Sequence, residues 1–357
     1  MCPNGREGSS PSFPTKPGLR SLGKVERVRA AVVASLGVVE CREVPTPDPM
    51  QGKVLVKMDM ASICGSDLHF VYHGWPRDNF PLDPGATGHE GIAHVVDGGG
   101  TGFNAGDLVL TVPSIWESRN FADYQLISPH YLVPLPYDLL HDGIGPAHLM
   151  MAQQLGTVIF AATKLPDMRG KTAAVIGQGS AGLFHDYWLR RMGAAKIITI
   201  DPVQDRLLAG HLFDVDQTID VTGQAAIDAV LSLTDGQGVD LVVDAVGGHD
   251  TLDQAVQMVK ALGAVHVFGL PTSFGKVPFD LSTFFLKHLD VRTIFGAQDE
   301  PGHAAFHKAI KLIVNGEIDV TPFVIPTLPL ENVAEAFDLA HSPRNGALKV
   351  SVTMESA

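Results

Sequence analysis

Between Arg29 and about Tyr137 the chain runs in short apolar segments, Ala30 to Val33, Val54 to Met60, Gly91 to Val96 and Leu108 to Val112, broken by clusters of Gly, Pro and Asp. Short β-rich runs bounded by turn formers predict a mostly antiparallel β domain. From Lys171 to about Phe295 the rhythm changes to apolar strand, helical stretch, apolar strand, with strands expected at Thr172 to Ile176, Lys196 to Ile200, Leu241 to Asp244 and Ala264 to Phe268. That alternation predicts βαβ units and a parallel sheet, so the fold class is α/β. His141 to Thr163 reads as one long helix joining the two parts. Helical patterns at Phe306 to Val314 and Val333 to Leu339 and a strand at Ala347 to Val352 close the chain.

Composition sharpens this picture. In 357 residues, 45% are hydrophobic, enough for two cores rather than one. The net charge of −13 carries no compensating basic cluster and sets nucleic acid aside as a partner. Cys2, Cys41 and Cys64 show no paired spacing, which points to a reducing compartment and a cytoplasmic location. No apolar run is long enough to span a bilayer. Residues 1–24 are rich in Pro, Gly and Ser and are expected to form a disordered tail; their Arg and Lys residues keep a targeting segment open as a minor alternative.

The first candidate chemistry lies at Gly177-Gln178-Gly179-Ser180-Ala181-Gly182, directly after one expected strand and before an amphipathic stretch, Leu183 to Met192. Gly177 permits a tight turn, Gly179 lets backbone N–H groups approach a pyrophosphate, and Gly182 allows the helix to pack closely on the strand. Asp201, at the end of the next strand, is placed to accept hydrogen bonds from a ribose and to repel a 2′-phosphate, which selects NAD over NADP. Arg206 nearby is the residue that argues the other way. Ser180, Ala181 and Val246 complete the expected cofactor contacts.

The second candidate chemistry is a pair of motifs upstream. Cys64 sits in Ile63-Cys64-Gly65-Ser66-Asp67-Leu68-His69, and Gly88-His89-Glu90-Gly91 follows. Thiolate, imidazole and carboxylate are good zinc ligands. In this order, ahead of the glycine fingerprint, the two motifs resemble the zinc-containing medium-chain dehydrogenase/reductase superfamily over nearly the whole chain.

The resemblance implies a GroES-like, mostly-β catalytic domain over 25–160, a Rossmann domain with a doubly wound parallel sheet over 161–296, and a return to the catalytic domain over 297–357. It implies that Cys64 and His89 bind a catalytic zinc, with Glu90 a ligand in some branches and a neighbour in others. Asp67 then orients the histidine, and Ser66 and His69 relay the substrate proton.

Many relatives carry a glutamate or cysteine where this chain has Gln153, a neutral and weaker donor; Gln153 or its neighbour Gln154 as a plain helix residue stays open. Thr111 to Phe121 lacks the cysteines of the structural-zinc lobe, leaving one zinc per subunit. Glu90, Gln153 and the missing lobe together lean toward the polyol and sugar branch.

The expected reaction transfers a hydride from a secondary alcohol, polyol or sugar hydroxyl to NAD, on a small-molecule substrate and in a homodimer or homotetramer. His73, Trp75, Arg77 and Trp116 are candidate pocket walls. Lys349 aligns loosely with a basic residue that touches the pyrophosphate in relatives, although lysine ordinarily lies on the surface. A zinc-free enone or quinone reductase and a non-enzymatic nucleotide-binding protein are the alternatives; Cys64, His89 and Glu90 weigh against the first, and Ser66 and His69 against the second.

Overall fold

The computed structural model describes residues 26–74, 77–141, 143–272, 275–342 and 347–355. The expected tail over 1–24 and the candidate wall residue Trp75 lie outside the described residues.

Six parallel strands form the sheet of the glycine-rich half among the described residues, in the order Gln217–Ile219, Lys196–Ile200, Thr172–Ile176, Val239–Asp244, Val259–Val267, Asp290–Thr293. The chain starts in the middle, winds outward in one direction, then crosses back and winds outward in the other. The reversal lies between Thr172–Ile176 and Val239–Asp244, and a doubly wound sheet opens its ligand crevice there, beyond the carboxyl ends of the strands. Ala174, Ile176, Ile198 and Val242 are buried in one core and Ala173, Val175, Ile197 and Val243 in another, on the two faces of the sheet. Burial on both sides is why these strands read as unbroken apolar runs.

The other half is a largely antiparallel sheet around Val54–Ile63, which pairs with Glu90–Asp97, Tyr124–Ile127 and Val350–Thr353. Val350–Thr353 comes from far along the chain, so this half is closed only when that segment returns to it. A separate antiparallel pair, Arg27–Ser35 with Val38–Pro45, lies outside that sheet. The charged, exposed second strand of this pair carries no apolar alternation strong enough to predict it.

The expected long helix from His141 to Thr163 is broken. His141 and Ile144 form an isolated β-bridge, Pro146 starts the helix Pro146–Met150, and Ala152–Ala162 follows as a second helix. Proline is tolerated at the first helical position and ends any helix that would run through it from before. Ala152–Ala162 packs on Ala304–Val314 so closely that a Cβ on Gly156 would fall 2.4 Å from the Phe306 ring. Ile92 and Leu110 of the antiparallel half, Leu155 and Val158 of the connecting helix, and Leu183 and Phe184 beside the glycine turn share one core, which joins the two halves.

Candidate metal and cofactor site

Cys64 follows the strand Val54–Ile63 at once and opens the short helix Gly65–Leu68; its backbone N–H donates to Asp67 Oδ2 at 2.7 Å. His89 immediately precedes the strand Glu90–Asp97, and the antiparallel register sets Glu90 opposite Ser62. Two neighbouring strands thus deliver the two motifs to one place. The ligand-capable atoms of Cys64, His89 and Glu90 all lie within 4.8 Å of one another.

The orientation of each group is fixed from behind. Asp67, fully buried, places Oδ1 3.3 Å from His89 Nδ1 and accepts the Thr87 hydroxyl at 2.6 Å. His89 Nε2 faces the Ser66 hydroxyl at 3.3 Å. Burial alone would push the His89 imidazole down, but the Asp67 carboxylate and the Cys64 sulfur beside it hold it well above the ordinary histidine range. Glu90 Oε2 is taken by the Lys349 ammonium at 2.6 Å and by the Ser62 hydroxyl. Glu90 Oε1 is buried with no hydrogen-bond partner among the described residues.

A carboxylate with one orphaned oxygen, grouped with a thiol and an imidazole, is an arrangement that a cation completes, and one sulfur, one nitrogen and one oxygen suit zinc.

Gln153 lines the cavity, and its backbone carbonyl accepts from Thr157. The amide next to Cys64 belongs to Gln154, whose Nε2 lies 3.8 Å from Sγ and whose Oε1 accepts from Lys349 at 3.4 Å. Lys349 is 4% exposed rather than a surface lysine. It escapes the usual rule because Glu90 and Gln154 replace the water it gives up.

His69 also lines the cavity, one turn from His73 with ring centroids 5.4 Å apart. Burial and the neighbouring His73 push it down to about 4, so it is neutral near pH 7. Of the other expected walls, Arg77 and Trp116 pair with each other, the guanidinium 5.7 Å from the indole centroid, and neither lines the cavity.

The same cavity, of about 440 Å³, reaches the glycine turn and is lined there by Gly177, Gly179, Ser180, Ala181, Asp201, Arg206 and Val246. Gly177 has φ +91°, and a Cβ there would meet Val246 at 2.6 Å. Gly182 packs on the turn so tightly that a Cβ would lie 1.8 Å from the Gly177 carbonyl oxygen. At Gly179 a Cβ would meet nothing within 4 Å, so the space over the start of the helix Ser180–Arg191 is open. Asp201, 4% exposed, accepts the Gln178 N–H at 2.7 Å and the Val203 N–H at 2.8 Å; Arg206 stands 3.8 Å from its Oδ2. The open cradle, the helix N-terminus and the fixed carboxylate fit a dinucleotide.

Residues 50–137 match the family model described as the alcohol dehydrogenase GroES-like domain, and 182–315 match the one described as zinc-binding dehydrogenase. The chain is 25% identical to an alcohol dehydrogenase of Cupriavidus necator, over 91% of this chain and 98% of that one. It is 25% identical to a sorbitol dehydrogenase of Bacillus subtilis, over 92% and 97% of the two chains. The crystal structure of alcohol dehydrogenase TADH from Thermus sp. ATN1 superposes with a TM-score of 0.77 at 26% identity, over 92% of this chain and all of that one.

Proposed function

Because the chain belongs to the zinc-type medium-chain dehydrogenase/reductase superfamily, we propose that it oxidises a secondary alcohol, polyol or sugar hydroxyl with NAD as acceptor and one catalytic zinc. The observation that carries this reading is the meeting of Cys64, His89 and Glu90 in the cavity that also holds the glycine turn and Asp201.

Cys64, His89 and Glu90 would hold the metal, with an amide at the Gln153–Gln154 corner as the neutral fourth neighbour. When bound, the zinc supplies the Lewis acidity that makes an alcohol hydroxyl acidic near neutral pH, and NAD supplies the hydride acceptor.

The protein's own part is positional. Asp67 and Thr87 fix the His89 ring. Ser66, on the cavity wall beside His89 Nε2, and neutral His69 would relay the substrate's hydroxyl proton outward, each releasing one proton as it takes up another. Gly177, Gly179 and Gly182 let the backbone approach the pyrophosphate, with Ser180, Ala181 and Val246 beside them. Asp201 favours a free ribose hydroxyl over a phosphate, and Arg206 is turned toward Asp201.

We assign 25–160 with 297–357 to the catalytic domain and 161–296 to the NAD domain. The free edge strand Asp290–Thr293 and the neighbouring Leu281, Phe285 and Leu286, 65%, 71% and 74% exposed, support a homo-oligomer built on this side. No helix among the described residues is long and apolar enough to cross a membrane. The unpaired Cys41 and Cys64 support a reducing, cytoplasmic location.

The reading is tested by following NADH absorbance over a panel of secondary alcohols, polyols and sugars, with zinc-loaded and chelated protein. Turnover that requires both NAD and zinc is expected; enone reduction by a metal-free preparation would replace the reading.

A further inference from the structure

Lys349 reaches the site from the end of the chain. It precedes the strand Val350–Thr353, whose antiparallel register sets Val350 opposite Ile63, the residue before Cys64. The lysine side chain is 1% exposed, as is that of its partner Glu90. A buried ammonium demands partners, and this one has two: Glu90 Oε2 at 2.6 Å and Gln154 Oε1 at 3.4 Å. Gln154 in turn points its Nε2 at Cys64 Sγ, 3.8 Å away. One cation therefore touches one candidate ligand directly and a second through a neutral amide.

Two consequences follow. First, Lys349 and Ser62 both hold Glu90 Oε2, so Oε1 is the oxygen left without a hydrogen bond among the described residues. Second, the ammonium of Lys349 lies 2.6 Å from an oxygen of Glu90, whose carboxylate is grouped with Cys64 and His89, so its positive charge stands directly beside the position an ion would take. A cation held this close to a dication's site opposes its binding through low-dielectric surroundings, where charges are weakly screened.

We infer that Lys349 is a positioning residue and counter-charge for the metal centre: it restricts Glu90 to one available oxygen and keeps the centre more electron-poor than its ligands alone would. The inference rests on the metal reading above. A more electron-poor cation polarises an alcohol oxygen more strongly and is held less tightly.

The test is zinc affinity measured by competition with a chromogenic chelator, on the full chain, with circular dichroism and melting temperature as controls for folding. Lys349→Met is expected to bind zinc about tenfold or more tightly than the parent protein, because a repulsive charge is removed. Lys349→Gln retains N–H groups for both partners without the charge and should behave like Lys349→Met. Lys349→Arg should stay within a few fold of the parent. Glu90→Gln leaves the ammonium unpaired and should weaken binding, while adding Lys349→Met to it should recover much of the loss. The double variant contains no unpaired buried charge, so it keeps the comparison open if Lys349→Met alone folds poorly. Zinc affinity in Lys349→Gln equal to or weaker than the parent's, or a double variant no tighter than Glu90→Gln, overturns the counter-charge role and leaves the metal site standing. A parent protein that binds no zinc overturns both.

Discussion

Asp67 Oδ1 lies 3.3 Å from His89 Nδ1, and the same buried carboxylate accepts the backbone N–H of Cys64 through its other oxygen. One side chain therefore sets the direction of two candidate ligands from neighbouring strands. Partners of this kind fix ring orientation and ligand basicity. Asp67→Asn should weaken zinc affinity roughly 10- to 100-fold while leaving NAD binding in place. Chelator competition and cofactor titration on the same preparation check both halves of this expectation.

The glycine turn separates stability from ligand binding. A methyl at Gly182 would drive into the Gly177 carbonyl, so Gly182→Ala should lower the melting temperature as well as NAD affinity. A methyl at Gly179 meets no protein atom and occupies the cradle instead. Gly179→Ala should raise the KM for NAD with little change in melting temperature, and thermal scans with and without cofactor distinguish the two variants.

Asp201 makes its own prediction about the cofactor. Its carboxylate is fixed by two backbone N–H groups, and a hydrogen bond to a charged group contributes about 1.5–3 kcal/mol. Asp201→Ser should raise the KM for NAD roughly 10- to 100-fold and narrow its advantage over NADP. The ratio of kcat/KM for the two cofactors, in parent and variant, is the measurement.

Two histidines outside the chemistry predict acid lability. Burial and the adjacent His266 push His185 down to about 3, and burial and Arg292 push His266 down to about 4. In the unfolded chain both titrate near 6.5. The unfolded state therefore binds more protons as pH falls below about 6.5, and stability declines through the window down to the folded values. The decline is up to ~1.4 kcal/mol per pH unit for each group. Urea midpoints at about pH 7 and about pH 5 should differ more for the parent protein than for His185→Leu/His266→Leu.

The parallel strands and the two ligand motifs were readable because each is local. Thr172–Ile176 and Lys196–Ile200 are apolar on both faces, and Cys64 and His89 sit in compact motifs. What depends on the third dimension is not legible along the chain. Counting back from the glycine turn does not distinguish Gln153 from Gln154, since one residue turns a helix by about 100°. The apolar stretch from His141 hid a break that Gly145 and Pro146 impose. Lys349 reads as a surface lysine because its residue type favours exposure and Glu90, its buried partner, is distant in the chain. A lone lysine inside the apolar run Ala347 to Val352 is the signal that could have revealed that partner.

Elemental analysis of the purified parent protein and of Cys64→Ser, with circular dichroism confirming that both are folded, decides whether Cys64, His89 and Glu90 share one ion. About one zinc per chain is expected in the parent and its loss in the variant; a folded parent without zinc, or a variant that keeps the parent's full complement, rules a shared ion out.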